Sequence, residues 1–296
     1  MKEYGMLLLA AALLAVDFAI NKLYQKNAGT SLKAGFRFNL LLGGLTALVF
    51  WGIGGFTFRI TTFSAILAAA MALFGMAYTL LGFRILRSGS MALYTLFLMV
   101  GGMTVPYIWG LCFLNEAFSP LRTLGLVLLI GAVAVSNGRL KRGRAEWGLL
   151  LLCLTVFALN GMVSVLSKLH QISAVWETVS ATQFVMLSGV FKAVLAGVAY
   201  GIVCVRERKE KPRQTAKVQL RWLFPLVACS AVVGGVSYWL QLEGAVHLEA
   251  TVLYPFITGG SMVFSTLIGI VAFRERPSRT VLLGVALSFV GTLLFL

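Results

Sequence analysis

Ten long apolar segments recur along the chain, and no other feature restricts its fold as strongly. They cover residues 4–24, 36–54, 62–83, 89–113, 121–136, 147–168, 178–203, 222–241, 248–273 and 280–296. A helix of about 20 apolar residues is long enough to cross the hydrocarbon of a bilayer. Within hydrocarbon, only a helix or a closed barrel satisfies its own backbone hydrogen bonds. The pattern therefore predicts an all-α integral membrane protein with ten transmembrane helices.

Composition and charge also indicate a membrane protein. Hydrophobic residues make up 59% of the chain and charged residues 12%, whereas charged residues form about 25% of a soluble globular domain. The net charge of +15 comes from short basic clusters between the apolar segments. Nucleic-acid-binding proteins gather their basic residues on one face instead. The predicted partner is thus the lipid bilayer and not a nucleic acid.

Motifs for enzymatic chemistry and for metal binding are absent from the sequence. The four cysteines lie inside apolar segments, without the paired short spacing of a zinc site or a disulfide framework. His170 and His247 are isolated, and the chain has neither a His-Glu-x-x-His motif nor a Gly-x-x-x-x-Gly-Lys-Ser/Thr loop. We therefore expect no enzyme, no nucleotide-driven pump, no cofactor and no metal.

The distribution of Lys and Arg predicts the topology. The loops after predicted helices 1, 3, 5, 7 and 9 hold twenty of the 25 Lys and Arg residues. Cytoplasmic loops carry an excess of these residues. We therefore expect a multi-pass protein of the cell (plasma) membrane, with these loops in the cytoplasm and both termini outside.

Residues 138–146 divide the chain into two halves, residues 1–137 and 147–296. The segment is basic, polar and glycine-containing, so we expect an aqueous linker there. The two halves share an ordered series of residues at shifts of 143 to 160 positions; the pairs are Asp17 and Asn160, Asn21 and Ser164, Gly43 and Gly189, Tyr78 and Tyr238, Tyr94 and Tyr254, and Glu116 and Glu275. Such a series indicates a duplication. Five helices per half, an odd number, predicts inverted repeats with a substrate site near the midplane.

The last predicted helix of each half follows a Glu and a Ser three residues apart, which are Glu116 with Ser119 and Glu275 with Ser278. With ten helices in two halves, this pattern resembles the ten-helix EamA type of the drug/metabolite transporter superfamily over nearly the whole chain. The resemblance implies a basket of helices around a central cavity, alternating access and small-metabolite transport, commonly export. Two features depart from the family pattern. Asn115 and Arg274 replace a Gly before each Glu, and residues 16–18 and 159–161 replace a Trp-containing stretch.

Asp17 is the strongest candidate for a functional residue within the membrane. An intramembrane carboxylate is costly and is usually kept only when it faces protein or water. Asn21 and Tyr24, at i+4 and i+7, share its helical face. Asn160 and Ser164 form the matching polar face in the second half. The two faces could bind an amine or another cation, or Asp17 could carry a proton. The alternative is that Asp17 pairs with Lys22 or a helix end and only fixes the packing.

Other intramembrane side chains are further candidates with open alternatives. Lys192 could contact an anionic substrate, or its long stem could reach the membrane interface. Aromatic residues could line a cavity or simply pack between helices; they are Tyr78, Tyr94, Tyr238, Trp239 and Tyr254. Glu116 and Glu275 precede predicted helices, where a carboxylate stabilises the positive N-terminal end, so we expect both to be helix caps.

These observations predict a secondary transporter that works by alternating access. The substrate would be a small molecule such as an amino acid, an amine or a related organic solute. We expect export as the direction of transport, and protons are the candidate coupling ion. The alternative is a membrane sensor or scaffold of the same fold that transports nothing. Such a protein would not need polar faces buried in both halves.

Overall fold

The structure is a computed structural model that describes residues 2–29, 31–87, 91–136, 147–209 and 220–296. Ten α-helices make up most of this part of the chain: α1 (Lys2–Ala28), α2 (Leu32–Ile53), α3 (Thr62–Arg87), α4 (Met91–Phe113), α5 (Pro120–Ser136), α6 (Trp147–Ile172), α7 (Ala181–Lys209), α8 (Leu220–His247), α9 (Ala250–Phe273) and α10 (Arg279–Leu293). Across these ranges no β-strand is found. The prediction of an all-α protein is confirmed, whereas the predicted linker 138–146 lies outside the described residues.

Eight of the helices in these ranges are long and apolar enough to cross a membrane. The other two, α5 and α10, are apolar but have only 17 and 15 residues. Helices form here because each apolar segment must satisfy its own backbone hydrogen bonds in hydrocarbon. The structure thus indicates a multi-pass membrane protein.

Helices α2 and α7 touch backbone to backbone at two glycines. A Cβ atom added to Gly43 would lie 2.6 Å from the Gly189 carbonyl oxygen and 2.7 Å from the Ala193 nitrogen. A Cβ atom added to Gly189 would lie 2.8 Å from the Gly43 carbonyl oxygen. Small residues let membrane helices approach this closely. Gly43 and Gly189 are therefore points of close contact between α2 and α7.

A second close contact joins α5 and α10. A Cβ atom on Gly125 would lie 2.9 Å from the Gly291 oxygen, and one on Gly291 would lie 3.0 Å from the Gly125 oxygen. Further along, a Cβ atom on Gly284 would lie 2.8 Å from the Ala132 oxygen. The two shorter helices therefore pack on each other along much of their length.

Most of the buried apolar packing lies at one end of the bundle, which we call the closed end. There the loops of residues 54–61, 114–119, 173–180 and 248–249 connect consecutive helices. Two large clusters of buried residues fill this end. They include Leu7, Tyr107 and Leu253 in one cluster and Phe50, Phe184 and Leu242 in the other.

The opposite end is packed in two separate, smaller clusters. Tyr24 packs with Leu223 and Val227 between α1 and α8. Cys153 and Val156 of α6 pack with Ile85 of α3. The buried packing at this end is thus divided between two groups of helices.

The close contact between α2 and α7 predicts that Gly43→Ala lowers stability. The added methyl group meets backbone atoms that cannot rotate away, and overpacking of this kind costs about 1–3 kcal/mol. We expect a lower apparent melting temperature for the purified protein in detergent. Gly44→Ala is the matched control, because a Cβ atom there meets no atom within 4 Å. Equal melting temperatures for the two variants would contradict the contact.

Candidate functional site

A cavity of ≈ 440 Å³ lies between the middle parts of α1, α2, α3, α6, α7 and α8 and the start of α9. Its volume falls within the range of about 300–1,000 Å³ that is typical of small-molecule sites. Seven of the residues predicted from sequence line it: Asp17, Tyr78, Asn160, Ser164, Lys192, Tyr238 and Tyr254. The structure therefore brings together most of the predicted polar and aromatic candidates from both halves of the chain.

The Asp17 carboxylate is held by donors from two helices. The Ser230 hydroxyl of α8 donates a hydrogen bond to Oδ1, and Asn21 Nδ2 donates one to Oδ2 at 3.0 Å. Gly234 of α8 makes room for the carboxylate, since a Cβ atom there would lie 3.0 Å from Asp17 Cγ. Lys22 pairs with Glu275 and not with Asp17. Asp17 is therefore packed against α8 and also lines the cavity.

Lys192 of α7 contributes the opposite charge to the cavity. Its side chain lines the cavity and is exposed. The charge of Asp17 acts on it electrostatically. Within the described part of the chain, Lys192 is found in no hydrogen bond and in no ion pair. The ammonium group therefore faces the cavity and not the membrane interface.

The polar face of α6 is tied largely to α4. Asn160 Nδ2 donates to the Leu98 carbonyl oxygen at 2.8 Å, and Ser164 Oγ donates to the Gly102 carbonyl oxygen at 3.2 Å. Gly102 is needed here, because a Cβ atom would lie 2.7 Å from Asn160 Nδ2. These side chains thus line the cavity while fixing α6 against α4.

The cavity tyrosines are also anchored. The Tyr254 hydroxyl donates to the Ser164 carbonyl oxygen at 2.6 Å. The Tyr238 hydroxyl lies 2.9 Å from Ser167 Oγ, so α8 and α6 are joined by this hydrogen bond. Their rings are therefore held in defined positions in the wall, next to the open volume.

Four of the predicted site residues do not line the cavity. Asn21 contacts it only through Asp17. Tyr24 is buried near the opposite end, with its ring centroid 4.6 Å from that of Phe38. Tyr94 packs against Gly82, and Trp239 packs with the second buried cluster of the closed end. Tyr24, Tyr94 and Trp239 are thus packing residues, because α1, α4 and α8 turn these side chains toward neighbouring helices.

Ser230, the partner of Asp17 in α8, is not predicted by the sequence pattern. Ser230 is fully buried and donates to the carboxylate. A single hydroxyl in an apolar helix carries no distinctive pattern, and the residue 160 positions earlier is Ala70. Asn39 and Ser188 also line the cavity, and the sequence pattern predicts neither of them as a site residue.

Two charged residues at the closed end, Glu116 and Lys168, form hydrogen bonds with the first turn of α9 and with the C-terminal end of α8. We call this pair the α8/α9 clamp. The Glu116 carboxylate accepts the N–H groups of Ala250 and Thr251 at 2.7 and 2.8 Å. Lys168 Nζ donates to the carbonyl oxygens of Ala245 and Leu248, both at 2.6 Å. Helix ends leave such groups without partners inside the helix. The prediction that Glu116 caps the helix that follows it, α5, was therefore wrong: its carboxylate caps α9.

Ser119 and Ser278 take the place predicted for the two glutamates. Ser119 Oγ accepts the N–H of Arg122 in the first turn of α5, and Ser278 Oγ accepts the N–H of Val281 in α10. Glu275 then forms an ion pair with Lys22 and is exposed. The prediction that Glu275 caps the following helix was therefore wrong, because the Ser278 hydroxyl accepts the N–H group at the start of that helix instead.

The histidines and acids show no arrangement suited to metal binding. Among the residues that the structure describes, no group of three His, Cys, Asp or Glu side chains comes together. His170 is fully buried, with its Nε2 atom 2.9 Å from Ser64 Oγ and its ring stacked on Phe184. Its contacts are those of a packed structural residue.

Comparison with known proteins bears on the fold alone. No protein-family model matches the chain, and no curated protein matches it. Among solved structures, 24 chains match. One of them, described as "Crystal structure of protein", is similar with a TM-score of 0.69 and 17% sequence identity. The match covers 99% of this chain and 94% of that chain. The two chains thus share a fold over nearly their whole length.

The clamp predicts different costs for two glutamates at corresponding positions. Glu116→Ala leaves two buried N–H groups of α9 without acceptors, a loss of about 1–3 kcal/mol. Glu275→Ala removes an exposed ion pair, which is worth about 0–1 kcal/mol. We expect the first variant to lower the apparent melting temperature clearly more than the second. A larger loss in Glu275→Ala would show that Glu116 does not hold α9.

Proposed function

We propose that the protein is a secondary transporter of the drug/metabolite transporter type, which moves a small organic solute by alternating access. Residues 1–137 and 147–296 form two inverted repeats of five helices, joined by the linker 138–146, and the cavity between them is the substrate site. The observation that carries the proposal is this cavity, which is lined by opposite charges and closed at one end of an apolar helical bundle.

The helix contacts support the inverted repeat. If α1 to α5 correspond to α6 to α10, a two-fold relation requires helix pairs to occur in matched sets. Three such sets are found. The contact of α1 with α8 corresponds to that of α6 with α3, and the contact of α1 with α9 to that of α6 with α4. The contact of α2 with α8 corresponds to that of α7 with α3. Corresponding helices also contact each other, as α2 does α7 and α5 does α10.

Individual residues follow the same relation. Gly43 and Gly189 correspond in sequence and contact each other reciprocally, as residues on a two-fold axis do. Asn115 and Arg274 each have a φ of 53°. Glycine tolerates this left-handed conformation best, which is why the family pattern has Gly at a position that these two residues occupy. The same local backbone therefore recurs in both halves.

The uneven packing of the two ends supports alternating access. At the closed end, two large apolar clusters and the α8/α9 clamp block a path from the cavity. At the opposite end, the buried clusters separate into two groups. Opening of the closed end between the two halves would require Glu116, in the first half, to release α9 in the second, whereas Lys168 and α8 belong to the same half and can move together. A rocking motion of the repeats about the cavity supplies such a change.

The orientation follows from the basic loops and is part of the proposal. Lys22, Arg274 and Arg276 lie at the opposite end from the clamp, on the side of the basic loops. Residues 137–146 and 210–219, which hold many of the other basic residues, lie outside the described part of the chain. With these loops in the cytoplasm of a plasma-membrane protein, both termini and the clamp face outward.

Asp17→Asn tests the role of the acid in the cavity. Asp17 is the only aspartate in the chain, and its loss removes the anionic charge while keeping a side chain of the same shape. We expect the variant to insert and melt near the wild-type temperature but to lose proton-coupled transport. Purified protein is first screened by thermal stabilisation against amino acids, organic acids and amines. Stabilising solutes are then assayed in proteoliposomes under an imposed pH gradient.

Glu177→Gln is the control, since it removes an exposed carboxylate in the loop between α6 and α7. Full transport by Asp17→Asn would refute the coupling role. Binding without transport by the wild type would favour the sensor or scaffold function instead.

A further inference from the structure

The two charged residues of the cavity differ in how completely their hydrogen-bonding capacity is used. Asp17 accepts from Ser230 and Asn21 and has the α8 backbone at Gly234 against it. Lys192 has three N–H donors to give and gives none of them to a described residue, yet its side chain is exposed to the cavity. The charge available to a ligand is therefore the positive one.

We propose that the cavity binds its substrate through an anionic group, a carboxylate paired with Lys192. The inference rests on the proposed transport function and specifies the substrate class: a small organic acid and not an amine. Asp17, in the same cavity wall, then supplies the opposite charge that stabilises the ammonium group.

A free ammonium group at this depth needs an anionic partner. A lysine at the centre of a membrane helix is costly unless its charge is compensated, and Asp17, in the same cavity wall, forms no direct ion pair with it. A substrate carboxylate that reaches Lys192 forms the direct, charge-assisted hydrogen bond that no described residue provides. Binding energy is thus available to an acid at this position.

An amine would gain less at Asp17. The acid already has two hydrogen-bond donors, and the backbone at Gly234 occupies one of its sides. An incoming ammonium group would have to displace Ser230 or Asn21, and it would bring a second positive charge into the cavity with Lys192. Like charges in a site of low dielectric repel each other strongly. The arrangement therefore disfavours organic cations.

The surroundings of Lys192 suit a carboxylate attached to an apolar or aromatic body. Ser188 lines the cavity one turn before Lys192, on the same face of α7, and offers a second donor. The rings of Tyr78, Tyr238 and Tyr254 line the rest of the wall. Aromatic rings pack well against flat apolar groups, so aryl carboxylates are the best simple probes.

The test uses probe pairs that match in ring and size but differ in charge. Benzoate is compared with benzylamine, and indole-3-acetate with tryptamine, by thermal stabilisation of the purified full-length protein. We expect the two acids to raise the apparent melting temperature with concentration, and the two amines to have little effect. Lys192→Gln should lose the response to the acids, whereas Lys192→Arg should retain most of it.

Lys22→Gln is the matched control, because it removes a cation that pairs with Glu275 outside the cavity. It should keep the full response to the acids. A response to the amines alone, no response to the acids, or an equal response to the acids in Lys192→Gln would each overturn the proposal.

Transport of the same probes separates this inference from the proposed function. Acids that stabilise the protein through Lys192 but do not cross proteoliposome membranes would contradict transport and leave the anion site standing. Transport of amines in place of acids would contradict the anion site and leave the transporter standing.

Discussion

In hydrocarbon, no water completes a helix end or solvates a charge, so every polar group in this bundle must find its partner inside the protein. The consequences are visible wherever helices meet. Asn160 and Ser164 donate to carbonyl oxygens of α4, and the cavity tyrosines donate to or accept from α6. Glu116 and Lys168 complete the ends of α9 and α8. Polar contacts therefore join α6 to α4 and α8, whereas close glycine contacts join α2 to α7 and α5 to α10.

The same constraint applies to the two charged side chains of the cavity. Lys192 lines an internal cavity and has no direct partner among the described residues, whereas Asp17, in the same cavity wall, is held by Ser230 and Asn21. At the closed end Glu116 and Lys168 are hydrogen-bonded to helix ends, and the apolar clusters are large. The interior is thus densely packed at one end and carries two opposite charges at the cavity in its centre.

Much of the fold could be predicted from the sequence, because apolar segments of membrane length between basic loops leave few alternatives. Asp17 and Lys192 could also be identified, since ionisable side chains are rare in such segments. Other features depend on tertiary contacts. Ser230 carries no signal of its own, and the bond between Glu116 and Ala250 joins residues 134 positions apart. Tyr24 shares the helical face of Asp17, but it lies further along α1, beyond the cavity, and packs against Phe38.

The central claim, that the two ends of the bundle open in turn, is tested most directly by two spin-label distances in liposomes. In a variant with its four cysteines replaced, one pair of labels at Ala117 and Val246 reports the closed end, and another at Asn27 and Gly148 reports the opposite end; all four positions are exposed. On addition of the most stabilising solute, we predict that the two distances change in opposite directions. Distances that stay fixed, or that change in the same direction, would contradict alternating access.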